Sequence, residues 1–547
     1  MVNYVPSDTE RREIFCILQE PQARLAKMND EIKRMQAALE EMKRQRDELS
    51  QYIDHYRALT SPIRRLPKEI LLEIFVHCLP KEHNAYMSSH EAPLLLGRIC
   101  SSWRTISLSA PRLWTTIHVP VPRTDRYPLE VISKAEYIVA LRRMIRLRTV
   151  ALQEWLNRSG SLPVDISFNQ WTRVDPLVNI EIADTAQPIV DLILSVAQRW
   201  RNVTVAAPDA TIANFFAHPP DNLPFLESFN LISAGFKWWE PVGIPSSGYN
   251  IYRAPSLRKL SFQRLGGNPL QLPVTWENLT DLTLDYPPAS SQQLPLHQVA
   301  ELLSRCRRLI RCKLALGRPG EVPPVHLSSF ALPYLECFTV YEVAYAASVF
   351  NCLDLPALRQ VTYYTTVAFH LSQRSSLLTL LKNSNGSIHE LTINPHQFMK
   401  EDLIKCLYLI PHATILTLNN RTSRFHFGNP TSWHKDLLYS FLPSATRGHP
   451  LCPNLQVLHV SPHLGVSDED LLEFILEKQR AVSSSILPLK HLYIEFLRPQ
   501  RMDIESDLKM MKGFDLQLRY AARSMKTLFS PSEEVSFPNA LHFYDNP

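Results

Sequence analysis

Apolar side chains at offsets of zero, three and five residues recur along most of the chain, and no other feature limits its fold as much. The pattern appears as Trp114, Ile117, Val119, then as Trp200, Val203, Val205, then as Leu226, Phe229, Leu231. It returns in PSLRKLSF, ENLTDLTL, RRLIRCKL, PYLECFTV, PALRQVTY, GSIHELTI, PNLQVLHV and PLKHLYI. Counted from the first apolar position, these begin at Leu257, Leu279, Leu309, Leu335, Leu358, Ile388, Leu455 and Leu489. Such recurrence indicates stacked units, each too small to bury its apolar face alone.

The last two apolar positions of each unit are two apart, as a strand burying one face requires. A proline stands two residues before the first apolar position in several units (Pro224, Pro255, Pro333, Pro356, Pro453), where the ladder does not yet need its N–H. Helical stretches lie between: PIVDLILSVAQRW, LHQVAELLSRC, SSLLTLLKN and SDEDLLEFILEKQ, the last opened by a Ser467/Asp470 capping box. Helix then strand, repeated, predicts an α/β fold, a parallel strand-helix solenoid over residues 115–497 with a cap and tail over 498–547. The pattern resembles a leucine-rich repeat array. No asparagine follows at the place that family uses, and spacings run from 22 residues (Leu257 to Leu279) to more than 40. With 42 prolines in 547 residues, irregular, loop-heavy repeats are expected.

The fourth position of each strand should point away from the core: Asn230, Ser261, Thr283, Lys313, Thr339, Thr362, Thr392, His459 and Tyr493. These would line a concave, hydroxyl-rich surface with little charge. Thr283, Lys313, Thr339, Thr362 and Thr392 are the candidate substrate-binding residues, with the insertion from Asn419 to Phe441 as an adaptable edge. The basic run LRRMIRLR at 141–148 reads as an exposed helix face.

Residues 1–60 follow another rule. Leu25, Met28, Ile32, Met35, Leu39, Met42, Arg46, Leu49, Ile53 and Tyr56 step by three and four, a heptad seam broken only by Arg46. Charges of both signs flank it. Either two chains pair through it as a homodimer, or it folds as a hairpin or lies on the protein's own body. Without a basic arm ahead of the heptads, a zipper-type DNA reader is a poor fit.

Between the heptads and the repeats, SPIRRLPKEILLEIFVHCLP carries apolar residues on two lines of one short helix starting near Pro67. Leu66, Ile70 and Ile74 form one line, and Leu71, Phe75 and Cys78 the other, so one can face a local core and the other a partner. LLLGRICSSWRTI and PRLW complete a unit too small to sustain a core easily by itself. Leu-Pro-x-x-Ile-Leu-x-x-Ile-Phe, then Ile-Cys-x-x-Trp-Arg, then Leu-Trp, in this order over residues 62–114, is similar to the F-box. With the preceding coil it resembles a group of fungal F-box proteins. The resemblance implies a small helical unit over 61–114 that docks on a Skp adaptor and so on a cullin, making the chain a substrate receptor of an SCF ubiquitin ligase. It implies adaptor-binding roles for Leu66, Pro67, Ile70, Leu71, Ile74, Phe75, Ile99, Cys100 and Trp103. The polar stretch KEHNAYMSSHEAP, 81–93, is longer than that family's usual connection and should be a loop.

Nothing points to an enzyme. Glycine is scarce, 14 in all, and phosphate-binding loops, nucleophile elbows and HExxH zinc motifs are missing. No cofactor, metal or catalytic residue is expected; His77, Cys78, His83, His90 and Cys100 match no metal-ligand spacing. A net charge of +5 over this length selects no nucleic-acid or membrane partner. Nine scattered cysteines without CxxC spacing fit reduced thiols in the cytoplasm or nucleus. The alternative function is a coil and solenoid scaffold without a link to ubiquitylation.

Overall fold

The computed structural model describes residues 6–520, apart from 61, 122–133, 171–175, 218–221, 235–241, 246–248, 287–292, 317–326, 343–344, 366–374, 385, 420–433, 444–449, 462–465, 483–485, 497 and 509–512. The chain divides into two compact units, Met1–Cys78 and Leu79–Pro547.

The first unit is two helices. Helix α1, Asp8–Thr60, runs 53 residues through Pro21. It opens on a capping box: the Glu10 N–H donates to Ser7 Oγ, and the Glu10 carboxylate accepts the Ser7 N–H at 2.8 Å. Lys43–Glu40 and Arg44–Glu48 pairs at helical spacing support its surface. After the short turn Pro62–Arg65, helix α2 spans Lys68–His77, with Pro67 immediately before it and Glu69 in its first turn.

The second unit opens with α3 (Leu96–Ile99) and α4 (Ser101–Leu108), which pack on each other. The turn Pro111–Trp114 then hands the chain to a parallel sheet that counts 14 strands among the described residues. The sheet begins at β1 (Thr116–Pro120), β2 (Val164–Asn169), β3 (Trp200–Ala207) and β4 (Ser228–Ser233). Its middle strands are β5 (Lys259–Gln263), β6 (Asp281–Asp285), β7 (Arg311–Leu316), β8 (Cys337–Glu342) and β9 (Gln360–Thr365). It ends with β10 (Glu390–Ile393), β11 (Ile415–Asn419), β12 (Val457–Ser461), β13 (His491–Phe496) and β14 (Asp515–Tyr520). These strands follow one another across the sheet in chain order, so each unit adds one strand beside the last. The result is an α/β fold with a long N-terminal helix and a large parallel sheet, compatible with a solenoid.

The core follows the zero-three-five pattern. Leu257, Leu260 and Phe262 are buried, as are Leu335, Phe338, Val340 and Leu455, Leu458, Val460. Burying side chains of this size stabilises by about 1.5–3 kcal/mol each, which is what holds successive units together. In the early repeats the filling is aromatic: Trp200 stacks on Phe215 at 5.7 Å and Tyr252 meets Phe262 edge-on at 6.0 Å.

The recurring prolines sit second in tight turns that deliver the chain to each strand. The N–H groups of Leu226, Leu257, Leu335, Leu358 and Leu455 donate to the carbonyls of Leu223, Ala254, Leu332, Leu355 and Cys452, three residues back. Proline suits that second position because its fixed φ matches the turn. Pro411 does the same in a unit with a small first residue, where the Ala413 N–H donates to Ile410 O at 3.1 Å.

The predicted helices form over Leu296–Arg305, Ser376–Lys382 and Asp468–Arg480, and Ser467 Oγ accepts the Asp470 N–H at 3.1 Å. The stretch around PIVDLILSVAQRW is a longer helix, Pro176–Ser195, followed by the turn Ala197–Arg199. The basic run lies in the helix Lys134–Arg158, with Leu141 and Ile145 buried and Arg142, Arg143 and Arg146 exposed. Strand ends carry assorted buried polar groups instead of an asparagine ladder. Gln170 accepts the Thr211 hydroxyl at 2.8 Å, and Glu342 accepts the Ala346 N–H at 2.7 Å and the Tyr363 hydroxyl. The sheet continues past 497: β14 pairs with β13 from His491↔Asp515 to Phe496↔Tyr520.

Candidate functional site: a docking helix and an open sheet face

On α2 the two apolar lines separate as helical geometry requires. Ile70 and Ile74 are 50% and 37% exposed, with Leu66 half-buried and Pro67 exposed, whereas Leu71 and Phe75 are 5% and 0% exposed. Leu71 and Phe75 are thus the buried line of α2, and Ile70 and Ile74 its exposed line. Cys78, on the same line in the sequence, is exposed, although its N–H still donates to Ile74 O at 3.1 Å as the C-cap of the helix.

In the second unit, Ile99 is 57% exposed at the end of α3, and Trp103 is half-buried on α4. Cys100 lies between the helices in extended conformation, and its Sγ accepts the Trp103 N–H at 3.4 Å. That makes it the N-cap of α4. Leu95 and Leu108, 39% and 43% exposed, add apolar surface that the motif reading missed; the signal was the LLL run ahead of Gly97. Trp114 closes the segment: its indole N–H donates to Ser107 O at 2.8 Å, and its ring meets Trp155 edge-on at 4.7 Å.

The fourth-position residues form one continuous row. Strand register places Thr283 beside Lys313, Lys313 beside Thr339, then Thr362 and Thr392. The row extends past Thr392 to Thr417, His459, Tyr493 and Gln517, and back through Ser261, Asn230, Thr204 and Ser167 to His118. His118, Ser167, Thr204, Thr417 and Gln517 are additions to the predicted set.

The face is not free of charge. On one side of the row, Arg201 pairs with Asp165 at 2.6 Å and Arg311 with Asp281 at 2.5 Å, while Gln360 donates to Glu390 at 2.7 Å. On the other side, Tyr341 and Tyr364 stack at 5.3 Å. Lys313 itself donates to Asp285 at 2.9 Å and lies 5.3 Å from the Tyr341 ring centre. Burial pulls the Lys313 ammonium down, but Asp285 outweighs it and holds the pKa above the usual lysine value.

The predicted loop 81–93 covers the first two positions of the row. The His118 N–H donates to Ala85 O at 2.8 Å, and Asn84 Nδ2 donates to Ser167 Oγ at 3.2 Å. The Tyr86 ring meets His118 at 4.7 Å. This segment blunts the edge of β1, which would otherwise offer an unpaired ladder. Burial, with His83 and Arg148 nearby, pushes the His118 pKa down to about 4, so the imidazole is neutral at physiological pH. From Thr204 onward the residues of the row are half-buried, and Gln517 at its end is exposed.

The insertion 419–441 lies mostly outside the described residues, apart from Asn419, the helix His434–Ser440 and Phe441. All nine cysteines are free. Among the described residues no group of three His, Cys, Asp or Glu side chains is placed to hold a metal, and no helix is long and apolar enough to cross a membrane. Comparison with protein-family models and with curated proteins finds no match.

Proposed function

We propose that the chain is a substrate-recruiting subunit of an SCF ubiquitin ligase, docking on a Skp adaptor through residues 62–114 and holding a target protein on the open sheet face. The observation that carries this reading is the split on α2. Ile70 and Ile74 stay in solvent while Leu71 and Phe75 are buried, in a motif whose order of elements resembles an F-box. Exposed isoleucines one helical turn apart, on a helix whose other line is buried, are what a groove-binding contact uses.

Ile70→Asp with Ile74→Asp should abolish recovery of the Skp adaptor by the full chain while leaving its circular dichroism unchanged. Truncating one interface anchor typically costs about 2 kcal/mol, roughly thirtyfold in affinity, and a charge in place of each isoleucine costs more. Undiminished adaptor binding by the folded double variant rules the reading out.

For the target, Thr339→Arg with Thr362→Arg places two long side chains at adjacent register positions on the open face. Both threonines are only half-buried, so the stability change should stay within about 0.5 kcal/mol. The set of proteins labelled by proximity in cells should shrink while adaptor recovery persists. An unaltered set would move target recognition off this face.

A further inference from the structure

Helix α1 is one unbroken helix from Asp8 to Thr60, so the heptad stretch does not form a hairpin. Its apolar seam stands open: the nine apolar or aromatic positions from Leu25 to Tyr56 are between 40% and 69% exposed. Together they offer on the order of 1,000 Å² per helix, and two such faces would bury an area typical of a stable interface. We propose that a second copy of this chain covers the seam, and that the two helices run antiparallel.

The orientation follows from Arg46. It occupies a seam position, and in a parallel, in-register pair it would face Arg46 of the second copy, two like charges inside an apolar stripe. In the antiparallel register that pairs all ten seam positions, Arg46 lies level with Met35 of the other copy. There a flexible thioether can cover the arginine stem while the guanidinium reaches water. The remaining levels are apolar throughout: Leu25 with Tyr56, Met28 with Ile53, Ile32 with Leu49, and Leu39 with Met42. The flanking positions add no like-charge contact, since Glu31 falls near Tyr52 and Gln36 near Lys43. Two sequence-identical faces also make a self-complementary contact that closes at two chains.

At a rise of about 1.5 Å per residue, the paired stretch is roughly 50 Å long. The α2 segments of the two chains would then leave from opposite ends of the coil. On the reading proposed above, that sets two adaptor-docking helices apart instead of side by side; the pairing itself does not depend on that reading.

The test uses full-length chains carrying Cys16→Ser and Cys78→Ser, which remove the two exposed native thiols. Sedimentation should give twice the chain mass. Under mild oxidation, chains with Met28→Cys plus Ile53→Cys should become covalent dimers, while chains with Met28→Cys alone should not. A monomer in sedimentation overturns the proposal. So does cross-linking by Met28→Cys alone, which reports parallel helices, or a dimer in which neither variant cross-links, which reports another register or surface. Adaptor recovery, measured on the same samples, reports separately on the docking reading.

Discussion

Asp468→Ala should destabilise the C-terminal strands by about 3 kcal/mol, since it removes the acceptor of two backbone donors and the carboxylate partner of a half-buried guanidinium. Asp468 is fully buried at the start of the helix Asp468–Arg480. Its carboxylate accepts from the Arg498 guanidinium at 2.5 Å, from the backbone N–H groups of Arg501 and Met502 at 2.8 and 3.0 Å, and from the Tyr520 hydroxyl at 3.2 Å. One side chain thus ties a helix start, the segment after β13 and the end of β14. Arg498 also lies over the Phe496 ring at 4.3 Å, so losing its carboxylate partner disturbs the aromatic packing there. Alanine leaves two backbone donors without their acceptor and the guanidinium without its carboxylate, though Arg498 still donates to Val466 O at 3.0 Å. Hydrogen exchange should therefore quicken first in 491–520, before the early repeats respond. Asp468→Asn keeps the shape and some hydrogen bonds, and should cost less than alanine.

The same residue gives an acid signature. Burial raises the Asp468 pKa, but Arg498 and the two backbone donors outweigh it and hold it below the usual carboxylate value. A folded pKa below the unfolded one contributes stability that is present above about pH 4 and lost as pH falls through the folded value. Equal urea midpoints and equal exchange for wild type, Asp468→Asn and Asp468→Ala would show that the carboxylate is not the tie described.

The strand row was legible in sequence because a strand with one buried face repeats every two residues. Once Leu282 and Leu284 are inside, Thr283 must be outside, and the same step assigns Thr339, Thr362 and Thr392. Three strands escaped the pattern for different physical reasons. In β11 the first apolar position is Ala413, too small to stand out beside Leu416 and Leu418. In β2 the alternation is carried by Val164, Ile166 and Phe168, and no residue three before completes the offset. In β14 the position three before Leu516 is Gly513, so Leu516 and Leu518 lack the first apolar residue of the offset.

The chemistry of the face was less legible than its position. Arg311 meets Asp281 across 30 residues of chain and Lys313 meets Asp285 across 28, and such partners are fixed by stacking register, not by local spacing. On α2, helical geometry foretold two lines but not which would be buried. Buried charge within helices was not legible: in DEDLLEFILEKQR both Asp468 and Lys478 are 0% exposed.

Lys478 carries the second large effect. Its ammonium is buried near the end of that helix and donates to Phe441 O at 3.3 Å, and burial pushes its pKa down to about 8. The end of a helix favours a cation, but here desolvation wins. Against an unfolded value of 10.5, the shift corresponds to about 3 kcal/mol of penalty on the charged form. The sign is set by proton binding: between pH 8 and 10.5 the unfolded chain holds more protons at this site, so its contribution to stability rises with pH across that window. At pH 7 the folded protein bears the whole penalty. Lys478→Met has similar length without the charge, though it leaves Phe441 O without a donor at a cost of about 1–3 kcal/mol. The variant should therefore be more stable than wild type at pH 7 by about 1 kcal/mol. Other groups titrate identically in both proteins, so the informative quantity is the difference in unfolding free energy between them. That difference should shift in favour of wild type by about 3 kcal/mol from pH 7 to above pH 10, reversing the order of the two proteins. A difference that stays constant over this range would mean that Lys478 reaches water in solution and that the buried ammonium is not a feature of the fold.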